Sequence, residues 1–467
     1  MMAIGANGEG VLSQEASDTR HQKLEKQAIK GTAYVIAYYG VSLTLRMVSS
    51  VVLARLFSPE FFGLMTLLTT VLVGLQLFSH IGLADSVIQS PRGDEPLFLN
   101  TVWALQVLRG GGLWVMTILL AWPVALFYHE PRMIALFPVL GFGCVIAGFA
   151  SPSLLNLARH LGVGKTSMLE LLGQIVNFVV TLIWALIDPS LWALVGGRTA
   201  AELTRTVISF FIIREMRPRF VLDKECVRSI LHFGKWILIG TALTFLATQS
   251  DRLILGKLIS IEALGVYGIA FNLSDMPRQI ISMFCSRVGF PFIARFAQQP
   301  RHEYRNILLK YRLPVLAVGG LGLVLVVCTG DKLILHLYDH RYHAAAWMVG
   351  VLAVGLWHTM LYSTVSPAIL ALSKAHYNAA ANLVFCISLF ILIPLGFHFF
   401  GMLGAVAAVA IGDLPVYFAV QYAAYRERVG TLLQDALMTA AFVATLAGAL
   451  ALRAALGFGQ PFQGIHW

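Results

Sequence analysis

The chain has 467 residues, of which 58% are hydrophobic and only 12% charged. Soluble domains carry roughly 45–50% apolar and about 25% charged residues. The composition therefore excludes a disordered chain, a disulfide scaffold and a nucleic-acid-binding domain, and leaves a polytopic membrane protein. The formal net charge of +10 takes its meaning from where the cations fall along the chain.

Residues 1–30 are polar and charged and carry no A-x-A cleavage pattern, so they read as a cytoplasmic tail before a retained signal anchor. A short amphipathic surface helix is predicted around Lys23 to Lys30. Apolar segments able to cross a core of about 30 Å then recur at 32–53, 60–85, 98–122, 133–154, 167–187 and 190–213. A basic segment at 214–231 follows. Further spans are predicted at 233–255, 263–290, 313–335, 345–371, 379–399, 402–424 and 432–456. Each must be helical, because backbone polar groups cannot go unpaired in lipid.

With the N-terminus in the cytoplasm, twenty Lys and Arg fall in the inside segments and five outside (Arg55, Arg132, Lys257, Lys332 and Arg341). Such an imbalance sets topology, so the basic charge reports orientation and not a nucleic-acid patch. Cys144, Cys285, Cys328 and Cys386 lie in spans and Cys226 in an inside loop, with no metal or redox spacing.

The chain repeats. LARLFSPEFFGLM at 53–65 aligns with LGKLISIEALGVY at 255–267, sharing Leu53/Leu255, Leu56/Leu258, Ser58/Ser260, Glu60/Glu262 and Gly63/Gly265, with Arg55 facing Lys257. SPSLLNLAR at 151–159 matches SPAILALSK at 366–374 in the same order. Six spans precede the 214–231 linker, so the second half enters the membrane in the same sense as the first. That predicts an all-α integral membrane fold of two parallel six-helix lobes, related by a pseudo-two-fold along the membrane normal. The first lobe covers 31–213 and the second 232–425. Residues 426–467 add one extra helix and a tail. In parallel repeats the substrate site lies between the halves, and rocking gives alternating access.

The stretch 51–89, beginning VVLARLFSPEFFGLM, resembles the first helix pair of bacterial polysaccharide flippases of the multidrug/oligosaccharidyl-lipid/polysaccharide exporter superfamily. SDRLILGKLISIEALGVYGIAFNLSDMPRQI (250–280) and FPFIARFA (290–297) resemble that family's seventh and eighth helices. The resemblance runs from about 23 to 425. It implies export of an undecaprenyl-diphosphate-linked oligosaccharide to the outer leaflet of the bacterial inner membrane. It also implies membrane lipids, a polysaccharide polymerase and glycosyltransferases as partners.

Cations inside spans cost about 2.5–3.5 kcal/mol each at the bilayer centre, so deep ones face protein or a wet cavity. In the first span Tyr38, Ser42, Arg46 and Ser49 share a face at helical spacing. The seventh carries Thr241, Thr244, Thr248, Asp251 and Arg252. Two related polar stripes suit a shared cavity, with helix packing as the alternative and snorkelling open for Arg252. In the eighth, Arg278 lies one turn from Asp275, either as a self-neutralising pair or as a cation for a diphosphate, and Pro277 is expected to open the helix there. Arg109, before Gly110, Gly111 and Gly112, is either a substrate contact or a buried structural arginine. Arg198, Glu202 and Arg205 form one ladder. Lys235, Arg287 and Arg453 lie near span ends and are expected to snorkel.

No cofactor is expected; proton or Na+ coupling would run through Asp413, a lone carboxylate in the twelfth span whose alternative is a hydrogen bond to a neighbouring helix, with His80 and His358 as weaker candidates. GVGKTS at 162–167 ends like a phosphate-binding loop, but Arg159 stands where glycine is required and no strand precedes it. The expectation is a non-enzymatic flippase. A cation-coupled drug exporter would favour acidic spans, whereas these lean basic. A glycan polymerase would need a larger external domain than DKLILHLYDHRYHA (331–344).

Overall fold

The computed structural model describes residues 38–159, 163–212 and 218–461. The tail at 1–30, the amphipathic segment at Lys23–Lys30 and Arg214 and Arg217 of the linker lie outside the described residues. So does the Lys235 side chain. The described chain is helical. Among these residues, eight helices are long and apolar enough to cross a membrane by length and composition.

The first lobe comprises α1 (Tyr38–Leu56), α2 (Pro59–Phe78), α3 (Leu83–Gln89), α4 (Pro96–Tyr128), α5 (Met133–Gly148), α6 (Ser153–Arg159), α7 (Val163–Ile187) and α8 (Leu191–Ile212). The second comprises α9 (Lys224–Leu258), α10 (Ile261–Ser274), α11 (Met276–Phe284), α12 (Phe290–Ala294), α13 (Arg301–Leu337), α14 (Ala345–Ser363), α15 (Ser366–Ala371), α16 (Ala375–Ile411), α17 (Leu414–Arg426) and α18 (Leu432–Ala455). A π turn, Cys285–Gly289, joins α11 to α12.

Several predicted spans are broken helices. The second is α2 and α3, separated at Gly82 with φ +63°, and the fourth is α5 and α6. The eighth stops at Ser274 and restarts at Met276, with Pro277 in the first turn of α11, where a missing N–H costs nothing. The repeated SPSLLNLAR and SPAILALSK segments both fold as the short helix after a break, α6 and α15. In α16 the chain reverses at Gly401, whose φ of +57° favours a residue without Cβ. Its two arms then run antiparallel, with Ser388 Oγ donating to the Gly412 carbonyl at 2.7 Å.

The basic segments are shorter as loops than the sequence suggested, because α9 begins at Lys224 and α13 at Arg301. Asp223 caps α9: its carboxylate accepts the Cys226 N–H at 2.9 Å, and these bonds hold its pKa below the usual carboxylate value.

The two lobes pack as a pseudo-symmetric pair. α2 runs antiparallel to α9 across the lobe boundary, with Thr70 near Gln249 and Thr241 Oγ1 donating to the Leu77 carbonyl at 2.8 Å. At the end of the bundle opposite the basic segments, α2 also packs on α10. The core there joins Leu64, Leu67 and Leu68 to Leu264, Tyr267 and Ile334.

The extra helix α18 lies against α13 and is fixed at both ends by buried ion pairs. Arg312 Nη2 donates to Asp435 Oδ1 at 2.7 Å, with side chains 0% and 2% exposed. Asp435 also accepts from Tyr417, Gln421 and Thr431. Arg453 grips Asp331 with two donors. Burial overturns the expectation that Arg453 snorkels: α13 offers a carboxylate within reach, so the cation stays in the protein. Between the pairs, Trp357 of α14 and Phe442 of α18 stack at 4.4 Å.

Candidate substrate cavity between the lobes

On one side of the bundle the lobe boundary is sealed by the α2–α9 packing. On the pseudo-equivalent side, between α1 and α10–α11, it is open. A cavity of about 500 Å³ lies on this seam, walled by α1, α7 and α8 of the first lobe and α10–α11 of the second. A second space of about 710 Å³ continues toward the basic end; the two share Gln279. Arg46 and Arg198 line the first, and Arg278 and Arg287 the second. No carboxylate is among the described residues that line either.

Of the α1 stripe, Arg46 and Ser49 line this cavity, while Ser42 and Tyr38 turn to α7. Arg46 Nη2 donates to Gln279 Oε1 at 3.2 Å across the lobes. Ser42 Oγ donates to Gln174 Oε1 at 2.8 Å, and Tyr38 Oη to Glu170 Oε2 at 2.9 Å, tying α1 to α7. Ser49 lines the cavity while its hydroxyl bonds the Leu45 carbonyl.

Gln279 links Arg46 to the α10–α11 break. Its Nε2 donates to Asp275 Oδ2 at 3.0 Å, and Asp275 takes Arg278 with two donors, one at 2.9 Å. Asp275 keeps its backbone bonds on both sides, its N–H on the Phe271 carbonyl and its carbonyl on the Gln279 N–H, while its carboxylate reaches the next turn. Arg278 is thus charge-compensated, yet it reaches both the second space and a small void of about 100 Å³ inside the second lobe.

That void also holds Asp251 and Asp413. Asp251 accepts from Tyr267 Oη at 2.7 Å. Asp413 stands at the N-cap of α17 and accepts three donors from α14: His358 Nε2 at 2.8 Å, Thr359 Oγ1 and Tyr362 Oη at 3.2 Å. The tertiary fold therefore pairs two of the three ion-coupling candidates. His80 is in the first lobe with its Nδ1 buried and without a partner among the described residues.

Arg252 and Arg109 stand apart from the seam. Arg252 bonds Gln249 Oε1 at 2.8 Å and lies over the Phe271 ring at 5.2 Å. Arg109 donates to the Gln76 carbonyl at 2.7 Å and to Ser79 Oγ at 3.1 Å, closing the end of α2. Of the three glycines after it, Gly110 meets α5 at the Cys144 carbonyl, while Gly111 and Gly112 face open space.

The ladder on α8 divides. Arg205 pairs with Glu202 at 3.5 Å. Arg198, among the described residues, has no hydrogen bond or ion pair and projects into the cavity. Sequence reasoning grouped it with its neighbours and so missed it, along with Gln174, Asn177, Asn272 and Gln279. The signal available was Gln174 and Asn177, one turn apart within a span.

The seam is closed at the end opposite the basic segments. Arg55, with two donors, caps α13 at the Leu337 carbonyl, at 3.0 and 3.1 Å. Its repeat counterpart Lys257 caps α4 at the Phe127 carbonyl, 2.6 Å away, and lies over the Phe127 ring. Each cation thus neutralises the negative end of a helix in the other lobe. Tyr342 Oη adds a bond to the Phe57 carbonyl at 2.9 Å.

Two parallel helical lobes around a seam lined by arginines and amides define a two-lobed membrane transporter, an integral multi-pass protein. The chain belongs to the polysaccharide biosynthesis protein family, whose model matches residues 52–346.

It is similar to the teichuronic acid biosynthesis protein TuaB of Bacillus subtilis (strain 168), 22% identical over 331 residues, 69% of this chain and 67% of that one. The lipopolysaccharide biosynthesis protein WzxC of Escherichia coli (strain K12) is 24% identical over 58% of this chain and 55% of its own. The matches thus span between about half and two thirds of these relatives' lengths.

Among solved structures, the lipid II flippase MurJ in an inward closed conformation superposes with a TM-score of 0.70 at 11% identity, over 88% of this chain and 91% of that one. An inward-facing multidrug resistance MATE family transporter gives 0.66 at 12%, over 83% and 94%. These likenesses show the fold. The fold class and family expected from the sequence hold, and the chain is a membrane transporter of polysaccharide biosynthesis.

Proposed function

We propose that the protein carries a lipid-linked oligosaccharide, on an undecaprenyl-diphosphate carrier, from the cytoplasmic to the outer leaflet of the bacterial inner membrane. The basic end faces the cytoplasm, following the Lys and Arg distribution, and the state described is then open inward and closed outward. The observation that carries this reading is the seam cavity, with Arg46 and Arg198 in its wall and no carboxylate among its described lining residues. A diphosphate leaving water needs cations to replace its hydration. The amides of Gln174, Asn177, Asn272 and Gln279 suit sugar hydroxyls. An open seam lets the prenyl chain remain in lipid while the head group enters.

Rocking about the α2–α9 contact would break the Arg55 and Lys257 caps and expose the cavity outside. With the cytoplasm negative, each uncompensated negative charge exported gains about 2.3 kcal/mol per 100 mV. Proton coupling belongs at His358–Asp413, the one part-buried His–carboxylate pair near Arg278 among the described residues. The glycan partners follow the same reading: a glycosyltransferase supplies the cargo and a polymerase consumes it.

The test is lipid extraction from a deletion strain. Lipid-linked oligosaccharide trapped on the cytoplasmic leaflet, restored by wild type but not by Arg46→Ala/Arg198→Ala, is expected. Unchanged intermediates together with new sensitivity to cationic drugs would replace this reading by a drug exporter.

A further inference from the structure

Both repeats place the same three charges at the end opposite the basic segments, but only one set closes. In the first lobe Glu60 opens α2, while Glu130 and Arg132 follow α4. Arg132 Nη2 donates to Glu60 Oε1 at 2.6 Å and Arg132 Nε to Glu130 Oε2 at 3.0 Å, so the charges neutralise one another. In the second lobe Glu262 opens α10, and Asp339 and Arg341 follow α13 at the same spacing. Arg341 Nε donates to Asp339 Oδ1 at 2.8 Å. Glu262, among the described residues, has no hydrogen bond or ion pair. Between Glu262 and Arg341 lies a cavity of about 790 Å³.

Apart from Ser260, the remaining wall is apolar. It is made by Trp347 and Met348 at the start of α14 and by Phe399 and Phe400 before the Gly401 reversal. Phe399 and Phe400 are 66% and 67% exposed. Trp at a helix end marks the bilayer interface, where head groups lie, and Trp347 stands in this wall. An unpaired carboxylate and a guanidinium lining one cavity with an aromatic wall suit a ligand that carries an ammonium, an anion and hydrocarbon.

The geometry points to a binding site for a zwitterionic phospholipid of the phosphoethanolamine class. Its ammonium donates to Glu262, its phosphate meets Arg341, and its acyl chains lie along Phe399 and Phe400. The first lobe has no such site because Arg132 already occupies Glu60. The assignment of this lipid to the outer leaflet rests on the orientation proposed above; the binding itself does not depend on the cargo.

The test uses the full chain purified in detergent and native mass spectrometry with added lipids. Phosphatidylethanolamine is expected to form one tight adduct per chain. Phosphatidylcholine, whose ammonium cannot donate, and phosphatidylglycerol, which has none, should bind at least tenfold more weakly. Glu262→Gln removes that preference, and because this side chain is exposed and unpartnered the variant folds. Phe400→Ser weakens all three lipids alike and keeps their order. Equal binding of the three lipids by the wild type overturns the site, as does an unchanged preference in Glu262→Gln. Displacement of the adduct by a soluble oligosaccharide overturns it in favour of a glycan site. Wild type that shows this lipid preference but moves no lipid-linked oligosaccharide in proteoliposomes counts against the cargo reading alone.

Discussion

Gly63 and Gly265, which the repeat aligns, pack against each other's lobes by one reciprocal contact. A Cβ at Gly63 would overlap the Ile261 carbonyl oxygen, and a Cβ at Gly265 the Pro59 carbonyl oxygen. Pro59 and Ile261 are themselves aligned by the same repeat, at the starts of α2 and α10. The pseudo-two-fold axis therefore passes between these two helices, where only glycine lets the backbones touch. The Arg55 and Lys257 caps obey the same symmetry.

Substituting alanine at either glycine is expected to push α2 from α10 and loosen the closed end. Overpacking of this kind costs about 1–3 kcal/mol. Thermal unfolding in detergent should fall for Gly63→Ala and Gly265→Ala, while Gly112→Ala, which faces open space, should leave the midpoint unchanged. Equal midpoints for all three would remove the contact's importance.

Arg55→Ala and Lys257→Ala each remove a cation from a helix C-terminus, an interaction worth typically 0.3–1 kcal/mol at exposed positions, about 2 kcal/mol at most. The expected result is a shift toward the outward-open state. A cysteine introduced at Ser50 should react faster with an impermeant maleimide from outside in both variants, and fastest in the double variant. A labelling rate that falls, or does not move, contradicts the latch.

Charge-assisted hydrogen bonds to buried groups contribute about 1.5–3 kcal/mol, so loss of Arg46 or Arg198 should weaken diphosphate-lipid binding by about tenfold or more. Arg252→Ala, which lies off the seam, should have little effect. Binding of an undecaprenyl-diphosphate probe to purified protein measures this directly. The order reversed, with Arg252 dominant, would relocate the site into the second lobe.

For His358 and Asp413, replacement by Gln and Asn keeps the hydrogen-bonding shape and removes the titrating pair. Flipping in proteoliposomes should continue downhill in both variants but stop responding to an imposed pH gradient. A preserved response in the double variant would exclude this pair as the proton site.

Breaking a buried ion pair strands its partner, at a cost of about 3–5 kcal/mol. Asp331→Ala or Arg453→Ala should therefore destabilise the protein far more than the exposed Arg92→Ala. The swapped pair, Asp331→Arg with Arg453→Asp, should recover part of the loss, which a double-mutant cycle on unfolding midpoints would read.

The helical class and the two parallel lobes were legible in the residue order, because lipid leaves the backbone no choice but helix and because the duplication survives in side chains that form the lobe contact. The α1 stripe was legible too, since helical spacing puts Ser42, Arg46 and Ser49 on one face. Which charges meet was not. Spacing along one helix says nothing about the neighbour it packs on, so Arg453 finding Asp331 and His358 finding Asp413 were decided by tertiary structure. The same holds for Arg198, which makes no hydrogen bond or ion pair among the described residues and lines the seam cavity. The sequence by itself determined the symmetric plan. Only packing decided where that symmetry breaks, at the open α1–α10 seam and at the unpaired Glu262, because a repeat dictates equivalent helices but not equivalent gaps between them.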